Sequence, residues 1–372
     1  MKKGILIIIG IVIVTAVAIL YSPRRAIDSD KPIVKIGLVY PMTGDGAIYG
    51  ETSRKVIDLM LKNELKKRFP KQKYEYEFIF EDAQLSAPKA VTAMQKLVGY
   101  DKIDAVMSIL SSQALVINPI AEKHKVIQLS YTMDKNAAAG YYNYQVTVDN
   151  EAAIKAVLDN VKKNNSKKVA LAYANDHTMM LIVNEIKRQA KNDPEIKFVV
   201  DAAFNPGDKN FDTIALKIKK ASPDMLVFAA IPPESDLFLR TMKKNEINIP
   251  TTGFQILTTV IDRSLVEGMT GIDVTRADSN FLEEFYKKIG GNDTYYSEAT
   301  YAGMLVLINA WENAPAELGQ KPDIDAVIET MKNKTDGLKS LLGELKINKD
   351  GNIMLAPIFM KVENGEMKIL KD

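Results

Sequence analysis

Between residues 33 and 254, short apolar strand patterns alternate with amphipathic helix patterns almost without interruption. A chain written that way has few ways to fold. Strand patterns at 33–40, 74–80, 104–110 and 126–130 are separated by helix patterns. One of these carries Val56, Ile57, Met60, Leu61 and Leu65 along a single side, and another spans 113–124. A helix between them opens at Ser86-Ala87-Pro88, with a capping residue and an early proline, and Gly99 is expected to close it. A second set begins near residue 150. Its strands are expected at 167–173, 197–204, 224–230 and 249–254, with helices near 150–163, 177–192, 211–221 and 235–246. Strands joined through helices run parallel, and helices then cover both faces of the sheet. Two such sets predict an α/β protein of two doubly wound parallel-sheet lobes in preference to one large sheet.

The tail changes character. Helical patterns fill 279–290, 298–314 and 324–334, and strands follow at 343–347, 354–361 and 366–370, with a turn at Asn348-Lys349-Asp350-Gly351-Asn352.

The N-terminus concerns address more than fold. An apolar run from Ile5 to Leu20 lies between Lys2-Lys3 and Arg24-Arg25. Its length and cationic flanks favour an apolar helix serving as an uncleaved signal anchor over a cleaved signal peptide. Residues 1–30 hold four basic and two acidic side chains, a net +2, which equals the +2 of the whole chain and leaves the remaining part neutral. No global field draws it to nucleic acid. The chain has no cysteine, so neither a disulfide framework nor a lipid anchor on cysteine is available.

After the first strand comes Pro41-Met-Thr-Gly-Asp-Gly-Ala-Ile-Tyr-Gly50. Gly44, Gly46 and Gly50 approach a dinucleotide fingerprint, with Glu81-Asp82 ending the next strand where a ribose-binding acid could stand. Pro41-Met42-Thr43 separate the strand from the first glycine, however, and the dinucleotide turn follows its strand directly. The pattern strand-Pro-x-Thr-Gly-x-x-x-x-Tyr-Gly resembles instead the opening of the branched-chain amino acid type of periplasmic solute-binding protein. That resemblance covers nearly all of residues 33–372. It implies the type I periplasmic binding protein fold, with three passages of the chain between lobes. Lobe one would comprise 33–148 and 279–342, and lobe two 149–278 and 343–372, after a segment 1–30 outside both.

Ligand contacts are expected at strand ends, where open α/β sheets bind. Ser111 and Ser112 open the helix after strand 104–110, and their hydroxyls and amides suit a carboxylate, although simple capping would use the same residues. The resemblance implies that Tyr49 lines the cleft and that Ser130-Tyr131-Thr132-Met133-Asp134 is the family's second hydroxyl-bearing segment. In lobe two, Asp176 and Thr178 stand where the family has an acidic strand end followed by Tyr-Gly. Pro232-Pro233-Glu234 follows strand 224–230, with Ile231 at a position often aromatic. Gln255 stands where amino-acid binders carry a glutamate for the ammonium, and Asp134 where they carry a threonine for the carboxylate. These departures point to a neutral, cationic or amide-like ligand ahead of a branched-chain amino acid, unless Asp134 or Asp149 turns toward the ammonium.

Catalytic patterns are missing. The two histidines, His124 and His177, stand in separate helices without H-E-x-x-H, and neither G-x-S-x-G nor a P-loop occurs. Asp176-His177 resembles part of a triad, with no serine motif to complete it. The expectation is therefore a non-enzymatic, monomeric, extracytoplasmic binding protein of an ABC importer. It would use no cofactor and no metal, engage ABC permease subunits and a small polar ligand, and touch the membrane through residues 1–30. The alternative is a sensing ectodomain partnered with a separate signalling protein.

Overall fold

The computed structural model describes residues 30–370, apart from 192, 255, 275–278 and 291–294. The segment expected to form a signal anchor therefore lies outside the described residues, as does Gln255. Among the described residues no helix is long and apolar enough to cross a membrane.

The first lobe starts with β1 (Ile33–Tyr40), α1 (Ala47–Leu59, prolonged to Arg68), β2 (Glu75–Asp82), α2 (Ala87–Lys96), β3 (Ala105–Ser108), α3 (Ser111–His124), β4 (Ile127–Tyr131) and β5 (Asn143–Val148). The second follows with α4 (Asn150–Lys163), β6 (Lys168–Ala174), α5 (His177–Ala190), β7 (Lys197–Phe204), α6 (Asp212–Ala221), β8 (Met225–Ala229), α7 (Glu234–Lys244), β9 (Thr251–Phe254) and β10 (Thr270–Val274). The chain then returns through α8 (Ser279–Ile289), α9 (Tyr295–Asn313) and α10 (Ile324–Lys334). It finishes with a ribbon of β11 (Lys339–Ser340) and β12 (Gly343–Glu344), then β13 (Lys346–Ile347), β14 (Ile353–Leu355), β15 (Pro357–Glu363) and β16 (Glu366–Ile369).

One seven-stranded sheet has the order β13-β14-β5-β4-β3-β1-β2, and the other β16-β15-β10-β9-β8-β6-β7. Strands β1 to β5 pair in parallel, as do β6 to β10, while β13 and the β15–β16 pair add antiparallel edges. Central strands β3, β4, β5 and β8 are buried along their whole length, as strands covered on both faces must be.

Three differences from the sequence reading matter. Strands β5 and β10 were not anticipated, because Asn143-Tyr-Gln-Val-Thr-Val148 and Thr270-Gly-Ile-Asp-Val274 mix polar and apolar residues where a parallel core strand is expected to be apolar. Each is the last strand before the chain leaves its lobe. The tail strand expected at 354–361 is divided: β14 pairs with β5 in the first sheet, and β15 pairs with β10 in the second. Residues 346–355, expected in lobe two, thus belong to the first sheet, and the third passage between lobes occurs at Ala356-Pro357. Gly99 does not close its helix. The chain passes through it in a wide turn, Leu97–Asp101, and stops at Lys102, whose φ of 56° is left-handed.

Apolar burial is centred differently in the two lobes. In the first, α9 is buried on nearly every side, with Tyr301, Met304 to Ile308 and Trp311 enclosed by α1, α10 and β4. In the second, Phe204, Phe211, Phe228 and Phe238 cluster with centroids 4.5–6.4 Å apart, partly stacked and partly edge-on, between β7, β8 and their helices.

The glycine of the Tyr49-Gly50 pair lies where α1 presses on the preceding loop. A Cβ there would collide with the Pro41 carbonyl oxygen and come within 3.0 Å of the Met42 Cα, both backbone atoms that cannot rotate away. Gly50→Ala should cost about 1–3 kcal/mol of unfolding free energy, as overpacking does. Urea denaturation checks this; an unchanged or raised stability would show that the loop gives way freely.

Candidate functional site

The carboxyl ends of the two parallel sheets face one another. Between them is a cavity of about 180 Å³, walled on one side by Leu85, Ile109 to Ser112, Tyr131 to Met133 and Tyr296, and on the other by Ala174, Asp176 to Met179, Pro206, Ile231, Pro232 and Glu234. Most of this surface is apolar, and its polar groups sit at the ends of β3, β4, β6 and β8.

On the first lobe, Ser111 is the first residue of α3, whose N-cap position is Leu110 and provides no side-chain acceptor. The opening amides of that helix, with the positive end of its dipole, are left facing the cleft. Ser111 is buried, and its Oγ accepts a 3.3 Å bond from the Met133 amide, which leaves the hydroxyl hydrogen for another acceptor. Ser112 lines the same wall. Thr132 lines it too, but its hydroxyl donates inward, to Gln145 Oε1 at 2.8 Å and to the Asp134 carbonyl at 3.2 Å. Ser130 is not in the wall: it is enclosed in β4 and donates to the Tyr144 carbonyl.

Tyr49 is also set back. It is 3% exposed and stacks behind Tyr296, with ring centroids 4.6 Å apart; Tyr296 in turn meets Tyr131 edge-on at 6.0 Å. The aromatic surface facing the cleft is thus Tyr131 and Tyr296. Nothing near the first loop's sequence announces Tyr296, which arrives from α9. The Tyr49 hydroxyl has no hydrogen-bond partner among the described residues. Burial, then Tyr296, Glu234 and Asp236, push its pKa well up.

The second lobe presents acids. Asp176 caps α5, its Oδ1 accepting from the amides of Thr178 and Met179 at 2.9 and 3.0 Å. Burial raises its pKa, against the pull of those amides and of His177, and the charge of Glu234 adds to the rise. Glu234, at the start of α7, is only 9% exposed, and its Oε1 accepts from the Gly207 amide at 2.6 Å. The sequence reading passed over Glu234 as a site residue. An acid opening a helix reads as a favourable helix-dipole residue, and only the apposition of lobes makes it a wall group.

Asp134 does not face the cavity. It is 4% exposed, its Oδ1 accepts from the Asn136 amide, and its Oδ2 lies 2.6 Å from His177 Nε2. It borders a separate groove on the hinge side instead. The two Asp134 carboxylate oxygens are thus engaged by Asn136 and His177. Asp82 is equally committed elsewhere, accepting from the amides of Met42, Thr43 and Gln84 and from the Thr43 hydroxyl. Burial would raise its carboxyl, but those bonds outweigh it and hold the pKa below the usual range. The acid at the ribose position of a dinucleotide fingerprint thus secures the first loop instead. His177 bonds to Asp134 and Asp176 caps a helix, so no triad forms. Among the described residues no group of acids and histidines is placed to hold a metal.

Comparison with known proteins agrees with this architecture. The family model described as periplasmic binding protein matches residues 33–366. A leucine-, isoleucine-, valine-, threonine- and alanine-binding protein of Pseudomonas aeruginosa is 27% identical over 248 residues, which span 66% of this chain and 65% of that protein, a little under two thirds of its length. Among solved structures, the branched-chain amino acid transporter substrate-binding protein of Streptococcus pneumoniae, in complex with isoleucine, superposes with a TM-score of 0.78 at 19% identity, covering 91% of this chain and all of the other. A solute-binding protein of an ABC transporter from Rhodopseudomonas palustris, in complex with 3,4-dihydroxybenzoic acid, also gives 0.78 at 19%, covering 92% and 97%. At that identity the likeness is one of fold.

A pH dependence follows from Asp176. Its native pKa lies above its unfolded value, so between the two the native state holds more protons and stability falls as pH rises. Asp176→Asn keeps a capping residue and removes the titration. Thermal unfolding of the ligand-free protein from about pH 4 to 7 should therefore show a decline in the wild type that is missing from the variant, a difference of a few degrees at most. Parallel profiles would mean that the cavity does not penalise the Asp176 charge.

Proposed function

The chain belongs to the periplasmic binding protein family, and on that premise we propose that it is the extracytoplasmic solute-binding component of an ABC importer, trapping a small zwitterionic amino acid with an apolar side chain between its lobes. One observation supports this reading above the others: hydrogen-bond donors on the first lobe face carboxylates on the second across an apolar wall. The Ser111 and Ser112 hydroxyls and the first amides of α3 suit a ligand carboxylate. Asp176 and Glu234 suit its ammonium. Among the described wall residues His177 is the one basic side chain, and it is shared between Asp134 and Asp176, so the carboxylates outnumber the cation beside them. A ligand ammonium would relieve that like-charge penalty on closure. Leu85, Ile109, Met133, Met179 and Ile231 would enclose the side chain.

This reading reverses the preference for a neutral or cationic ligand drawn from Asp134 and Gln255. Asp134 is turned out of the cavity, and Asp176 with Glu234 supplies negative charge independently of position 255. Tyr49 would act through Tyr296, and Thr132 and Thr178 as wall groups. Lobes of 33–148 with 279–355, and of 149–278 with 357–372, would close about three passages, like other hinged binding proteins. Delivery to ABC permease subunits is what the family supports. The cationic flanks of the Ile5–Leu20 run support a membrane tether, and the neutral remainder supports a chain without nucleic-acid partners, which would act as a monomer.

Calorimetric titration tests the ligand class. Leucine, isoleucine or valine should bind, while the corresponding amide and the des-amino acid 4-methylpentanoate bind at least tenfold more weakly. Ser111→Ala, if folded, should lose about 1.5–3 kcal/mol, the worth of a hydrogen bond to a charged group, or roughly 10- to 150-fold in affinity. Tight binding of 4-methylpentanoate or 3,4-dihydroxybenzoate without binding of any amino acid would overturn the zwitterion reading.

A further inference from the structure

We infer that Asp134 and His177 form a clasp between the lobes, a pair of positioning residues that biases the protein toward the closed form before ligand arrives. This rests on the reading of the cleft as a hinged trap, and concerns its regulation. Asp134 follows β4 in the first lobe, and His177 opens α5 in the second. They are separated by the passage at Val148 to Asn150, so their 2.6 Å contact exists only while the lobes are apposed.

Both partners are fixed from their own side. The Asp134 carboxylate is held by the Asn136 amide, its carbonyl by the Thr132 hydroxyl, and the adjoining Met133 carbonyl by Asn150 Nδ2. The His177 backbone is set by the Asp176 cap of α5. An acid that only capped its own turn would need one oxygen; the second oxygen of Asp134, on a residue 4% exposed, is spent on the opposite lobe. On the Asp134 side little freedom remains to be lost when the contact forms, and only the His177 side chain has to be ordered, so part of the favourable energy survives as a bias on closure.

The pair also stands at a boundary. His177 lines the ligand cavity, whereas Asp134 lines a groove of about 620 Å³ on the hinge side, bordered by Asp149, Asn150, Glu185, Arg188 and Asn352. Joined, they form part of the partition between the two spaces; apart, they leave the cavity a second opening. The clasp therefore acts on closure and retention, and leaves the choice among ligands to the wall residues. Because a ligand's apparent affinity scales with the fraction of competent protein, loosening the clasp weakens every ligand by a common factor.

The absence of cysteine allows a direct test. Spin labels at Lys123→Cys in the first lobe and Thr213→Cys in the second report the interlobe distance. In the ligand-free wild type a fraction of molecules should occupy the shorter distance beside a longer one, and Asp134→Asn or His177→Ala should move that fraction to the longer distance. Leucine affinity should fall roughly 5- to 30-fold in either variant, as a loss of one or two kcal/mol would produce. The double variant should be no worse than the weaker single one, and the ratio of leucine to valine affinity should be unchanged. Distances indifferent to both substitutions, or affinity losses that add in the double variant, would overturn the clasp. If leucine does not bind the wild type, the ligand reading falls, while the ligand-free distances still decide the clasp.

Discussion

Two parallel sheets meet carboxyl edge to carboxyl edge across three short passages of chain, and every property of the cleft depends on that apposition. Parallel pairing sends all the βα turns of a lobe to one end, where helix N-termini and loop side chains collect. The described passages, at 148–150 and 355–357, join one lobe to the other, and the two ends face each other across the cavity. The later of them is short. β14 pairs with β5 and β15 with β10, with Ala356 alone between them, so a single extended run is shared by both sheets. The proposed closure would rotate lobes joined in this way about the passages and leave their sheets intact.

The chemistry follows from an asymmetry between the two ends. The first lobe offers donors: the uncapped start of α3, Ser111 and Ser112. The second offers carboxylates, half-buried Asp176 and buried Glu234, each with one oxygen anchored to backbone amide groups. Neither set is strained by its own lobe. The burial that raises the Asp176 pKa disfavours its charge in the empty cleft, and under the proposed function a ligand ammonium would offset that penalty on closure.

Fold was legible where residues face a single environment. Continuous apolar runs such as Ile33–Tyr40 and Met225–Ala229 marked core strands, and the Ser86-Ala87-Pro88 start of α2 was plain from capping and proline. β5 and β10 escaped because their polar residues are paired with distant side chains of their own lobes, Asn143 with Asn118 and Glu122, Gln145 with Thr132, and Thr270 with Asn160, and the division at Ala356-Pro357 escaped because both halves are equally extended. At the site, sequence placed Ser111, Ser112, Thr132, Asp176 and Thr178 in positions that do line the cavity. It placed Tyr49, Ser130 and Asp134 there as well, and the fold withdraws each of them: Tyr49 behind Tyr296, Ser130 into β4, and Asp134 toward His177. Glu234 and Tyr296 come from α7 and α9, and no local pattern ties them to a ligand. Gln255 lies outside the described residues. Side-chain direction at a strand end is set by what packs against it, and that information sits far away along the chain.

Closure on a ligand is the claim on which the whole account rests, and small-angle scattering of residues 31–372 measures it without labels or substitutions. With saturating leucine the radius of gyration should fall and the distance distribution should lose its longest vectors, as two lobes drawn together about three passages require. The same scattering curve with and without bound leucine, at a concentration where calorimetry shows the site filled, would contradict a hinged trap.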